Sequence, residues 1–169
     1  YYDAPPGEGP HAGLALARQI SQVTFRSDDV FTDRFGREPV EPLAGRFEMW
    51  QRFQVERYLD YHGTKLARRF DANSYLLLTK AMDLHDLGRG RGGIAAALRR
   101  IGAPLLAMGV TSDILYPAYQ QQELVAGVEA VGGSARYVEI DSPHGHDAFL
   151  IATDQVAAAL VPFLEEPAR

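Results

Sequence analysis

Two short segments of this 169-residue chain hold side chains whose types and spacing could move a proton. The first is Thr111-Ser112-Asp113, directly after the apolar run Leu105-Leu106-Ala107-Met108-Gly109-Val110. The second is Pro143-His144-Gly145-His146-Asp147, which follows the run Ala135–Ile140. A carboxylate that accepts the proton of one imidazole nitrogen fixes the ring tautomer. It also stabilises the imidazolium formed when the other nitrogen takes a hydroxyl proton. Asp113 is therefore expected to orient the ring and His146 to act as general base. Taken singly, an Asp after a strand is most simply a turn or cap residue, and a loop histidine is most often structural. Their joint placement, their order and their spacing of 33 residues favour the catalytic reading.

That pair needs elements to carry it. Residues 105–110 read as a buried parallel strand and Ala135–Ile140 as a second, joined by a helix over 117–131 with Leu124, Val125 and Val128 inward. Side chains just past the carboxyl ends of such strands collect on one edge of an open sheet. A helix over Ile94–Arg100 precedes Pro104, and Ala148–Leu164 reads as a closing amphipathic helix. Upstream, residues 3–10 hold three prolines and two glycines and read as a loop. Helices are expected over Ala12–Thr24, from about Glu48 to Tyr61, briefly through Leu66 and Phe70 after Gly63, and from Tyr75 to about Leu84. Asp71-Ala72-Asn73-Ser74 offers N-cap chemistry for the last of these. Residues 27–46, charged and broken by Pro39 and Pro42, read as an irregular connection.

Two strands cannot make a stable sheet alone, so the rest of the sheet is expected from sequence outside this chain. The order Asp then His is that of the back half of an α/β-hydrolase triad, in which the serine comes first. None of Ser21, Ser27, Ser74, Ser112, Ser134 or Ser142 lies in a Gly-x-Ser-x-Gly elbow. The expected fold is thus α/β, the C-terminal portion of an α/β-hydrolase fold without its nucleophile elbow. Residues 1–92 would form a helical region and residues 93–169 the C-terminal strands and helices of the core. Such a portion is not expected to turn over substrate by itself.

Composition narrows the remaining options. The net charge of −5 gives no electrostatic reason to bind nucleic acid or anionic lipid, and no apolar run reaches the length of a membrane span. The absence of cysteine removes disulfides, thiolate nucleophiles and Cys-ligated zinc together. The N-terminus Tyr1-Tyr2-Asp3-Ala4-Pro5-Pro6 lacks the pattern of a signal peptide and reads as a point inside a longer sequence. His144, His146 and Asp147 make a weak metal signal without a third well-spaced ligand, so no metal is expected. Gly88 to Gly93, with Arg89 and Arg91, follows a helix rather than a strand and reads as a connector, not a phosphate cradle. The aromatic residues between 50 and 61 read as core or a helix interface, and Arg68, Arg69 and Asp71 as a solvated face.

Several segments together resemble the homoserine O-acetyltransferases, the acyltransferase branch of the α/β-hydrolase superfamily. They are Gly13-Leu14-Ala15-Leu16-Ala17-Arg18, Thr24-Phe25-Arg26, Tyr58-Leu59-Asp60-Tyr61-His62-Gly63 and Arg69-Phe70-Asp71-Ala72-Asn73-Ser74-Tyr75. Thr111-Ser112-Asp113-Ile114-Leu115-Tyr116-Pro117 and Gly145-His146-Asp147-Ala148-Phe149-Leu150 complete the set. The resemblance implies a cytoplasmic enzyme of methionine biosynthesis that moves acetyl from acetyl-CoA, through a serine outside this chain, to L-homoserine. It implies that the helical region of residues 1–92 is a lid, that there is no resident cofactor, with acetyl-CoA as co-substrate, and that a homodimer forms through the lid helices. Asp113 and His146 match the family's acid and base, Asp147 a carboxylate that binds the substrate amino group, and Arg18 a lid arginine suited to a carboxylate. Phe25 departs from the usual Thr-Tyr-Arg, which bears on the choice of acceptor. Homoserine or serine O-succinyltransferase and α/β-hydrolase esterase are the alternative activities.

Overall fold

The computed structural model describes residues 1–2, 9–42 and 48–166. Most of the proline-rich 3–10 stretch and residues 43–46 of the expected connection lie outside them. The chain divides into two units, one of residues 1–24 and 28–84, the other of residues 25–27 and 85–169.

The first unit is helical. Helix α1 (His11–Thr24) and α3 (Gln54–Ala67) pack along each other, with Leu14 and Tyr58 buried. Sequence reading stops the second helix before Gly63, but α3 runs straight through it. A Cβ at that position would lie 2.8 Å from the Ala15 carbonyl oxygen and 3.2 Å from Gln19 Nε2, so glycine is there to let two helices approach, not to end one. Gly63→Ala is expected to destabilise the unit by about 1–3 kcal/mol through forced separation of α1 and α3, read as a lowered urea midpoint. An unchanged midpoint would show that the contact yields freely.

The expected start at Glu48 is also corrected. Residues 38–40 and 52–54 form an antiparallel bridge, with Val40 N–H donating to Arg52 O (2.8 Å) and Gln54 N–H to Glu38 O (2.9 Å). That pairing draws Trp50 off the helix, where it is 85% exposed rather than part of an aromatic core. Glu56 then caps the true start by accepting from Phe53 N–H at 2.6 Å.

Within the stretch expected to be irregular lies α2 (Asp28–Phe35). Two acidic residues open it and Arg34 closes it, matching the helix dipole. Phe31 and Phe35, one turn apart, pack against each other and against Tyr58 in tilted and edge-on contacts, with ring centroids 5.0 to 6.2 Å apart. Gly36, at φ +46°, ends the helix as a left-handed cap. Helix α4 (Ala72–Asp83) starts three residues earlier than expected, with Asp71 Oδ2 accepting from Ser74 N–H at 2.7 Å. Asp71 is therefore a cap and not merely part of a solvated face. The Tyr1 hydroxyl, and after it Ser74, hold its carboxyl below the ordinary carboxylate range.

The second unit carries α5 (Ile94–Leu98), β1 (Leu105–Val110), α6 (Ala118–Ala130), β2 (Ala135–Ile140), α7 (Ala148–Ile151) and α8 (Thr153–Glu165). The strands pair in parallel, Leu105 with Ala135 through to Val110 with Ile140, so their carboxyl ends lie level. Helix α6 packs on both strands through Val125 and Val128, the latter fully buried, while Leu124 is 36% exposed instead of inward. Val110, Ile140 and Ala148 form a core cluster that Met108, Val138, Ala152 and Val156 complete. The single closing helix expected over 148–164 is two, broken at Ala152, where segments 145–151 and 153–165 meet at a bend of 69°. The apolar pattern continues across the break, so periodicity could not reveal it. Gln155 fixes where α8 starts by clamping Asp141, accepting from its N–H (3.0 Å) and donating to its carbonyl (2.8 Å). Among the described residues no single helix is long and apolar enough to cross a membrane.

Candidate active site

The level ends of β1 and β2 bring the two sequence-marked segments to one edge. Past Val110 the chain turns, with Asp113 N–H donating to the Val110 carbonyl at 3.2 Å. Asp113 Oδ1 accepts from the backbone N–H groups of Leu115 (2.8 Å) and Tyr116 (2.9 Å), which fixes the carboxylate in one rotamer. That leaves Oδ2, which lies 2.9 Å from His146 Nδ1. The Asp113 side chain is 7% exposed and that of His146 27%, so the pair is dry at the carboxylate and open at the ring. With Nδ1 committed to the carboxylate, Nε2 is the nitrogen available to a reacting proton.

The imidazole sits among three aromatic rings: Tyr116 at 5.2 Å, Phe25 at 5.5 Å and Phe149 at 6.0 Å between centroids. A cavity of about 220 Å³ opens there, its walls including Asp113, His146, Tyr116, Phe149, Gly109 and Gln121. Gly109 is required beside it, because a Cβ would lie 2.7 Å from the Tyr137 hydroxyl and 3.1 Å from Ala118. Burial, then a hydrogen bond to Glu139, raises the Tyr137 phenol above its ordinary value.

Ser112 lies outside any Gly-x-Ser-x-Gly elbow, and its hydroxyl has a different task. It ties the two loops together. Its hydroxyl donates to the Ser142 carbonyl (2.5 Å) and accepts from Gly145 N–H (2.9 Å), so one side chain next to Asp113 holds both flanks of the histidine loop. Thr111 adds a parallel tie, its hydroxyl accepting from Ser142 N–H at 3.2 Å. A small hydroxyl residue directly before the strand-end acid was the available signal. Ser112→Ala leaves a donor and an acceptor unmet and should cost about 1–3 kcal/mol, read as a lower denaturation midpoint. Wild-type stability would show that water replaces both bonds.

Asp147 stands next to His146 and pairs with Arg26, Oδ2 to Nη2 at 3.3 Å. Arg26 carries no motif of its own and stands in the sequence only as part of the segment Thr24-Phe25-Arg26. Arg18 belongs to the helical unit. There the buried Gln22 turns its amide oxygen to Arg18 Nη2 (2.5 Å) and Nε (3.1 Å), and its amide nitrogen to the Tyr58 hydroxyl (2.5 Å). Arg18 is thus held rigidly by its own helix one turn on. Gly88 to Gly93 forms turns around Asp86, whose Oδ1 accepts from Gly88 N–H (2.8 Å) and Arg89 N–H (3.2 Å). Arg91 is spent on the Leu87 carbonyl.

An imidazole oriented by a buried carboxylate, beyond the ends of adjacent parallel strands, can accept at Nε2 a proton from a hydroxyl placed there. No protein-family model matches the chain. It is 53% identical over 158 residues to a protein named homoserine O-acetyltransferase from Moorella thermoacetica, across 94% of this chain and 42% of that protein. The crystal structure of a homoserine O-acetyltransferase from Bacillus anthracis superposes with a TM-score of 0.82 at 23% identity, over 95% of this chain and 43% of the other. A crystal structure of an esterase superposes with a TM-score of 0.79 at 22% identity, over 95% and 44%. These likenesses show the fold, a portion of an α/β-hydrolase fold. The chain spans about 42% of the length of the curated relatives it matches. Over nearly all of its residues the chain is similar, at 50% identity or more, to a part of proteins named homoserine O-acetyltransferase.

Proposed function

We propose that this chain is the acid–base part of a homoserine O-acetyltransferase, transferring acetyl from acetyl-CoA to the hydroxyl of L-homoserine. The observation that carries the reading is the 2.9 Å contact between Asp113 Oδ2 and His146 Nδ1 at the shared edge of β1 and β2. His146 takes the proton of a serine supplied by sequence outside these residues, and that oxygen attacks the thioester carbonyl. The thiolate of CoA leaves with a proton from the imidazolium. His146 then takes the proton of the homoserine hydroxyl, whose oxygen attacks the acyl-serine and releases O-acetylhomoserine and the free serine.

Asp147 and Arg18 are the substrate-binding residues in this reading. An Asp147 oxygen not taken by Arg26 is suited to the substrate ammonium, and a guanidinium pre-ordered by Gln22 is suited to its carboxylate. The helical unit serves as the lid and as the contact in a homodimer. Acetyl-CoA is a co-substrate, no resident cofactor takes part, and the enzyme works in the cytoplasm on small-molecule substrates. Phe25, whose ring lies against His146, presents no hydroxyl to the acceptor.

Steady-state turnover of the full-length protein with acetyl-CoA or succinyl-CoA, with and without homoserine, tests the reading. Acetyl transfer that requires homoserine is the expected result. Preference for succinyl-CoA would make it a succinyltransferase, and acyl release to water alone would make it an esterase; either outcome overturns the proposal.

A further inference from the structure

The residues that follow α1 in sequence, Phe25-Arg26-Ser27, belong to the second unit and lie along the histidine loop. Four kinds of contact tie them to residues on both sides of His146. The Ser27 hydroxyl, on a buried residue, donates to the Pro143 carbonyl ahead of it. The Phe25 carbonyl accepts from Asp147 N–H at 3.3 Å behind it. The Arg26 guanidinium pairs with the Asp147 carboxylate at 3.3 Å. The backbone of residues 25 and 26 fills the space above Gly145, where a Cβ would lie 2.7 Å from Phe25 O and 2.9 Å from Arg26 Cα. Gly145 itself has φ +63°, so both its conformation and this close approach require glycine.

We propose that this tripeptide is a positioning strap for the general base, with Arg26 its principal residue. Resting on the reading of Asp113 and His146 as an acid–base pair, the proposal adds what holds the ring to the carboxylate. Residues 144–147 make a left-handed glycine and one 3-10 turn, too short to hold a side chain's direction through internal hydrogen bonds. Ser112 grips this loop from the Asp113 side, and the strap grips it from the opposite chain segment. Arg26 is an expensive way to add stability alone: its side chain is 20% exposed, and its Nε is buried without a partner among the described residues. A partly buried guanidinium with an unmet donor is poor stabilisation, and its direction-giving bond to the residue next to His146 is what it supplies.

The test uses the full-length protein and its Arg26→Ala, Arg26→Lys and Ser27→Ala variants. The Nδ1 proton shared with Asp113 should give a low-field proton NMR signal. In Arg26→Ala that signal should broaden or vanish, and kcat should fall about ten- to a hundredfold, the scale of an ångström-sized misplacement, with the acyl-donor KM little changed. Arg26→Lys should recover part of both, because it keeps a charged donor for Asp147. If Arg26→Ala does not fold, Ser27→Ala removes a single hydroxyl and is judged by the same signal and rate. A lowered melting temperature with the low-field signal and kcat intact would overturn the strap and leave a merely structural role. A wild-type protein without acyl transfer would sink the proposed function, while the NMR comparison would still decide the strap.

Discussion

Replacement of His146 by alanine in the full-length protein should lower acyl transfer by about three to six orders of magnitude while leaving the fold intact. The size follows from what is lost. A serine hydroxyl at neutral pH is a poor nucleophile, and only a base in hydrogen-bond reach can remove its proton as the new bond forms. Asp113 cannot substitute: its Oδ1 is taken by two backbone N–H groups and it lies buried behind the ring. The fold should survive, because the ring is partly exposed and its neighbours Tyr116, Phe25 and Phe149 stand 5.2 to 6.0 Å from it, centroid to centroid, rather than stacked tightly on it. Single-turnover acylation with acetyl-CoA, with far-ultraviolet circular dichroism as the control for folding, provides the measurement. A folded variant that acylates at the wild-type rate would remove His146 from the mechanism.

How much of this was legible in the sequence depends on the range of the interactions involved. Both strands were readable residue for residue, since β1 and β2 are short apolar runs bounded by turn residues and their parallel pairing is local to one β-α-β unit. The Asp113–His146 meeting was readable from order and position for the same reason: level strand ends put both loops on one edge. Helix limits were readable only where a cap or a break was written into nearby residues. Gly63 looked like a stop because its reason for being there is Ala15, on another helix. The start of α3 depended on a bridge to residues 38–40, and the break at Ala152 left the apolar period unchanged. Short α2 was obscured by charge, though its charges are arranged as a helix dipole favours and its two phenylalanines need Tyr58 to be worth burying. The supports of the site were hidden most thoroughly. Ser112 and Arg26 act on loop residues 30 to 121 positions away in sequence, a separation that only tertiary contact bridges, and neither carries a motif of its own.

Asp113→Asn should lower kcat by about four orders of magnitude without disturbing the site's geometry, and the hydrogen bonds show why so small a change does so much. The backbone N–H groups of Leu115 and Tyr116 both point at Oδ1, at 2.8 and 2.9 Å. In the asparagine variant those two donors select the amide oxygen for that position, because an NH₂ there would face two N–H groups. The NH₂ must then occupy the place of Oδ2 and point at His146 Nδ1. Facing a donor, Nδ1 becomes the acceptor, and the neutral ring carries its proton on Nε2 instead. The nitrogen meant to receive a proton is already protonated, in a ring that has not moved. The expected signatures are a crystal structure that superposes on the parent at the site, a low kcat at neutral pH and a partial recovery at high pH, where hydroxide can take over the proton removal. Unimpaired turnover in this variant would mean that the carboxylate does not set the tautomer. Asp113 would then be only the turn residue that its backbone bonds already make it.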